Sequence, residues 1–317
     1  MQENIKVLTD AGIKLYAVSY DEHSAHAAYA EGENVSFTLL SDPDSKVIDQ
    51  YGVLNTEIPT EEAVFRGIPF PGTFLIDESG MIKDKLFARH LAVRDSAETM
   101  VDRMLGRVDP GATDPIVQVR ESDGIEVAAF LRGGGGSIRI GPRRRLMVRF
   151  SLPPGIHIYD APVPEGMVAT TITVDAPDGI ETEMARQPET KPLALPGIET
   201  PLQVWEGEVD FELTIYANSG LTKTVKDAEK PEVEISVDIR YQACDDVQCF
   251  IPQTRRLSLV VPVLEMITPN FGMMKDMGGT TVNMDTAEHF KALSLRQTAK
   301  AERPAATGKR GDESDSN

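Results

Sequence analysis

The sequence predicts a multidomain chain: an α/β unit, then an all-β sandwich, then a disordered tail. Three observations carry this. At 317 residues the chain is about twice the length of a typical domain. Up to about residue 107, short apolar runs alternate with stretches of helical period, whereas from 116 to 265 alternating runs bounded by turn residues dominate. Beyond 266 the composition shifts to Gly, Thr, Asn, Ala, Arg, Lys and Asp, with five methionines early in the segment, and no core pattern survives. With 41% hydrophobic residues and no apolar run near the roughly 18 residues of a membrane span, a transmembrane chain is excluded. The net charge of -18 divides as -9 over 1–110, -9 over 111–265 and 0 over the rest, which argues against nucleic acid as a partner.

The opening residues enter helical spacing at once, with Ile5 and Leu8 apolar and no cap or secretory leader before them. Residues 13–19 read as a strand, 24–32 as an Ala-rich helix closed by Gly32, and 37–40 as a second strand. Ser41-Asp-Pro-Asp-Ser45 is a turn and N-cap for a helix at 45–51 that stops at Gly52. Residues 72–77 and 81–87 form a hairpin around Glu78-Ser-Gly80. Val93, Ala97, Met100, Val101 and Leu105 share one helical face, with Asp95 or Ser96 as cap and Gly106 as stop. A Pro/Gly/Asp-rich stretch follows, so the α/β domain spans 1–107 and 108–135 is linker and first strand.

Over 136–265 the runs at 138–140, 146–150, 156–159, 169–174, 209–216, 233–241 and 257–263 predict a sandwich of seven or more strands. Gly133–Gly136 lacks the Gly-Lys-Ser/Thr of a phosphate loop and reads as a hairpin connection, and Arg143-Arg-Arg145 as a basic strand edge. His23, His26 and His90 read as solvated side chains, so no metal and no cofactor is expected.

The chain has two cysteines, Cys244 and Cys249, in one short stretch. Five extended residues reach about 16 Å and a disulfide needs Cα atoms within about 7 Å, so a bridge requires a reversal at 245–248. So small a loop is a weak staple, about 2 kcal/mol by loop entropy, and strain or exposure would leave it open to exchange. Asp245 and Asp246 disfavour a thiolate beside them, which suits the pair to being attacked as a disulfide. A zinc site with His157, two inert buried thiols and redox exchange remain the alternatives.

Two resemblances bear on that choice. Ala17-Val-Ser-Tyr-Asp21, Leu39-Leu-Ser-Asp-Pro43, Ile48-Asp-Gln-Tyr-Gly52 and Gly67-Ile-Pro-Phe-Pro-Gly-Thr-Phe-Leu-Ile-Asp77 resemble the redoxin members of the AhpC/TSA (peroxiredoxin) family. The resemblance implies a thioredoxin-like fold in which Pro71 is a cis-proline, with Thr73 beside it, next to the redox thiols. It also implies a reactive cysteine on a strand and helix preceding the matched part. Residues 1–243 hold no cysteine, so the resemblance implies a thioredoxin-like domain truncated at its start and lacking its first core strand. Pro-Gly-Thr in place of a supporting arginine favours thiol–disulfide chemistry over peroxide reduction.

Tyr241-Gln-Ala-Cys-Asp-Asp-Val-Gln-Cys-Phe-Ile-Pro252 is similar to the cysteine signature of the N-terminal domain of the thiol:disulfide interchange protein DsbD, as are Gly155-Ile-His-Ile-Tyr159 and 204–211. This resemblance implies an immunoglobulin-like sandwich with Cys244 and Cys249 as redox pair, His157 and Tyr159 on nearby strands, Tyr241 in the motif, and 194–204 as a shield. Tyr159 and Trp205 equally suit core packing. It further implies an extracytoplasmic setting and a thioredoxin-like or DsbD-like redox partner. The expected function is a thiol–disulfide oxidoreductase or electron relay; the alternative is a non-catalytic binding or chaperone-like module.

Overall fold

The computed structural model describes residues 2–264 except 57–66, 88–92, 196–199, 227 and 246. The Met-rich segment and tail, His90 and Asp246 lie outside the described residues.

The first unit runs α1 (Ile5–Asp10), β1 (Tyr16–Ser19), α2 (His23–Gly32), β2 (Thr38–Ser41), α3 (Lys46–Gln50), β3 (Gly72–Ile76), β4 (Ile82–Phe87) and α4 (Ala97–Leu105). The expected α/β alternation is present. At α3 it is Asp42 that satisfies the free amides, its carboxylate accepting from the Lys46 and Ile48 N–H groups at 3.1 and 2.9 Å. Ser96 caps α4 by accepting from the Thr99 N–H at 3.2 Å, and Gly106 closes it with a left-handed φ of 70°. The β3–β4 turn is held by Asp77, whose carboxylate accepts from the Ser79 and Met81 N–H groups.

β1 and β2 pair in parallel, β3 and β4 antiparallel, and among the described residues these remain two separate two-stranded sheets. Tyr16 and Val18 of β1 are exposed in consequence. Among the described residues the main buried cluster of this unit is Leu8, Leu75, Leu86, Ala97, Met100 and Val101, with Ile48, Val53, Phe70 and Val93 buried outside it, and α2 buries no residue. The cis-proline expected at Pro71 is not found: the cis peptide among the described residues is Ala161–Pro162, and Phe70–Pro71 is trans. Trans is the intrinsic preference of an X-Pro bond, and among the described residues β3 pairs with β4 alone.

The second unit comprises β5 (Ile116–Arg120), β6 (Glu126–Arg132), β7 (Arg144–Ser151), β8 (His157–Tyr159), β9 (Thr171–Asp175), β10 (Ile180–Arg186), β11 (Lys191–Leu193), β12 (Leu202–Glu206), β13 (Glu208–Ala217), α5 (Gly220–Val225), β14 (Glu232–Tyr241), β15 (Ala243–Cys244) and β16 (Gln253–Pro262). Three sheets form, in the orders β10-β13-β7-β6-β5, β16-β14-β9 and β11-β12-β8-β15. Residues 108–135 thus supply two strands, both paired into the five-stranded sheet, and β10, β11 and α5 lie where the sequence pattern gave no signal.

The period of two assigns each face. Val127, Ala129 and Leu131 of β6, Leu146, Val148 and Phe150 of β7, and Phe211, Leu213 and Ile215 of β13 point into one core with Ile235, Val237 and Ile239 of β14 and Leu257 and Leu259 of β16. Phe150 stands edge-to-face with Phe211 and Tyr241, at centroid distances of 5.8 and 5.1 Å.

The alternate residues of β6, β7 and β13 form the outer face, and α4 docks there through charges. Asp102 accepts two hydrogen bonds from Arg132, at 2.8 and 2.9 Å, and one from Arg145. Arg103 donates to Glu212 at 2.6 Å. Arg143 bridges Asp95 and Glu183 at 2.6 and 2.8 Å. The Arg143–Arg145 run expected at a strand edge is therefore an interior junction, with Arg144 and Arg145 buried.

Candidate redox site

The site is built where β14 hands the chain to β15. Ala243 and Cys244 pair antiparallel with Ile158 and His157 of β8, and β12 flanks β8 with Val204 opposite Tyr159 and Trp205 opposite Ile158. Directly opposed residues share a face. Ile158, Trp205 and Ala243 therefore enter the main core, while Tyr159, Val204 and Cys244 join Leu202 in a second cluster bordered by Val163, Met167, Leu193 and Leu195.

The chain reverses at 245–248 as the spacing requires. The Asp245 N–H donates to the Gln248 carbonyl at 2.9 Å, and the Asp245 carboxylate accepts from the Val247 and Gln248 N–H groups, each at 2.7 Å. The Phe250 N–H donates to the Ala243 carbonyl at 2.8 Å. Cys244 and Cys249 are joined in a disulfide with Cα atoms 4.0 Å apart. The two sulfur-bearing residues differ in surroundings: Cys244 is 1% exposed, whereas Cys249 lies on the exposed arm. Val247 and Ile251 beside it are 91% and 80% exposed, an unusual position for branched apolar side chains.

His157 is buried on the ladder position opposite Cys244, and its Nε2 lies 2.8 Å from the Tyr159 hydroxyl. Burial pushes the Tyr159 phenol above its usual value. The backbone amides of Gln248 and Val247 hold the Asp245 carboxyl below the usual carboxylate range, with a smaller contribution from His157. Tyr241, in contrast, points into the main core, and among the described residues its hydroxyl finds no hydrogen-bond partner. Desolvation raises its pKa, and Glu121 and Asp123 add to the shift.

Cys244, Cys249, Asp245, His157 and Tyr159 thus come together; Tyr241 faces the other way. Pro71 and Thr73 belong to the α/β unit, where they line a small cavity with Leu86, Arg94 and Asp95. Of the segment 194–204, Leu195 packs by Cys244 while 196–199 fall outside the described residues. One residue was overlooked in the sequence. Gln242 accepts from the Val168 N–H at 2.9 Å and donates to the Phe250 carbonyl at 3.0 Å, so its amide ties both sides of the cysteine loop. Its place two residues before Cys244 was the available signal.

Comparison with known proteins matches two separate parts of the chain. Residues 1–85 match the AhpC/TSA family, and residues 139–261 match the N-terminal domain of the thiol:disulfide interchange protein DsbD. The chain therefore joins a peroxiredoxin-like segment to a DsbD N-terminal-like domain. Over 87 residues it is 34% identical to peroxiredoxin Bcp of Escherichia coli K12, covering 26% of this chain and 52% of that protein. It is 30% identical over 87 residues to alkyl hydroperoxide reductase C of Amphibacillus xylanus, covering 26% and 42%. The chain spans about half the length of the curated relatives it matches. Among solved structures, the N-terminal periplasmic domain of ScsB from Proteus mirabilis aligns over 47% of this chain and 51% of that one, at 19% identity and a TM-score of 0.32. The reduced N-terminal domain of Neisseria meningitidis DsbD aligns over 37% and 77%, at 13% identity and a TM-score of 0.25. Among the described residues no helix is long and apolar enough to cross a membrane.

Proposed function

We propose that the protein is a thiol–disulfide exchange module working through Cys244 and Cys249, with a thioredoxin-like dithiol protein as its partner. The observation that carries this reading is the asymmetry of the pair, one cysteine buried and the other exposed on a short loop. Exchange requires a thiolate to reach a disulfide sulfur along the S–S axis, and access selects the sulfur attacked. A partner thiolate attacks Cys249 Sγ, forming a mixed disulfide as the Cys249–Cys244 bond breaks and Cys244 leaves with the electron pair. His157, opposite Cys244 and bonded to Tyr159, is placed to deliver the proton that the leaving sulfur takes up. The partner's second thiol then resolves the mixed disulfide, so the partner ends oxidised and this chain ends with two thiols. The reverse sequence oxidises the chain.

Val247 and Ile251 supply the apolar rim on which a partner can seat beside Cys249. The test is to equilibrate the full chain with a thioredoxin-like protein and follow both thiol populations by alkylation and mass. Two-electron transfer to and from the pair, lost in Cys244→Ser and in Cys249→Ser, is the expected result. A Cys244→Ser protein that retains all partner exchange would contradict the proposal.

A further inference from the structure

Between α4 and the outer face of the five-stranded sheet lies a cavity of about 470 Å³, away from the cysteines, whose walls come from both units. Its chemistry is not that of an ordinary domain junction. Five cations line it, in a chain whose net charge is -18. Two of the four carboxylates on its wall are already engaged by arginines standing outside it: Asp102 by Arg132 and Asp210 by Arg149, each through two hydrogen bonds.

Three guanidinium groups, from Arg103, Arg145 and Arg186, crowd around Glu212, with Arg145 also donating to Asp102 and Arg103 Nε standing 3.7 Å from Asp84. Arg103 takes one Glu212 oxygen at 2.6 Å and Arg145 Nη1 stands 3.6 Å from the other, beyond hydrogen-bonding range. Arg145 is 2% exposed, yet among the described residues its Nε and Nη1 have no hydrogen-bond partner, and neither has Arg103 Nε. Buried guanidinium N–H groups without acceptors are costly, and a bound water or ion is one way a native protein completes them. A register shift in β10 between Glu183 and Arg186 sets Arg186 directly opposite Glu212, which on its other side is opposite Met147. The sheet register therefore brings the third cation to the same wall. Burial lowers Arg103 from its usual value, Glu212 opposes this, and Arg186 and Arg145 add to the lowering, as expected of cations crowded together.

We propose that this cleft binds a small, multiply charged oxyanion, of the phosphate or dicarboxylate kind, held by Arg103, Arg145 and Arg186. The planar guanidinium forks match such oxygens in pairs, and an occupant there touches both units at once.

The test is calorimetric titration of the oxidised full chain with inorganic phosphate and, separately, succinate, at ionic strength held constant with chloride. Saturable binding of either anion, weakened about tenfold in Arg186→Gln, is the expected result. Arg186 is exposed, so its replacement leaves the unfolding midpoint in chloride unchanged, and the loss reads binding rather than folding. Arg145→Met, if folded by circular dichroism, abolishes binding. Which anion binds more tightly identifies the occupant's class. No saturable heat from either anion, or equal affinity in Arg186→Gln, overturns the proposal.

Discussion

The two units of the chain solve the problem of a β-sheet differently. In the sandwich, three sheets close over one continuous core, and the residues facing it from β6, β7, β13 and β14 are nearly all inaccessible to water. Among the described residues of the N-terminal unit four strands form two pairs, the main buried cluster is small, and apolar residues such as Tyr16, Val18, Leu40 and Ile76 are exposed. Both cysteines of the chain are in the closed unit. The contrast teaches that a disulfide can be a local feature on a rigid support: one cysteine anchored in a packed ladder, the other carried on a five-residue excursion.

The contrast also implies that the N-terminal unit depends on the sandwich for order, and substitutions at three positions probe this. Asp102→Ala removes the carboxylate that pairs with Arg132 and Arg145 and strands two largely buried cations. A loss of about 3–5 kcal/mol is expected, read by urea unfolding, with the N-terminal unit melting before the sandwich. A single unchanged transition would break the comparison. Met100→Ala, in the small core, costs about 2–3 kcal/mol, at the low end for such changes because the partly exposed neighbours Met104 and Ile5 can collapse into the space. Ser96→Ala removes the cap of α4 for about 1 kcal/mol, measured in the same way, and Ser96→Asp restores most of it.

The smallest effect concerns the cysteine loop. The amides of Gln248 and Val247 lower the Asp245 carboxyl in the fold. A carboxyl lowered on folding contributes its stabilisation in full above its unfolded value of about 3.9 and loses it as pH falls through the lower folded value. Amide protection at Val247 and Gln248 is thus expected to hold above that range and to decline below it. Asp245→Ala should show low protection at every pH, and a decline unchanged in that variant would count against the role of this turn.

Much of this was readable from residue order. Ser96 and Gly106 bound α4, Asp77 to Gly80 turn the hairpin, and alternation marks β7, β13, β14 and β16, because each signal is local and carried by a few side chains. Residues 116–132 sit next to a Pro/Gly-rich stretch, which hid their membership of the sheet. The role of Arg145 was hidden for another reason: Asp102 is 43 residues away, and only the docking of α4 on the outer face brings it close. At the candidate site the signature found the cysteines, but nothing near them in sequence tells buried from exposed. That distinction comes from β8, which pairs with Cys244 and stops short of Cys249.

The difference between the two sulfurs is the centre of the account, and single-cysteine proteins measure it directly. Folded Cys244→Ser and Cys249→Ser chains, treated with iodoacetamide under native conditions and followed by mass, report the accessibility of the thiol each retains. The account predicts that Cys249, retained in Cys244→Ser, is alkylated at least about tenfold faster than Cys244, retained in Cys249→Ser, and that urea abolishes the difference. Equal native rates, or faster labelling of Cys244, would contradict it.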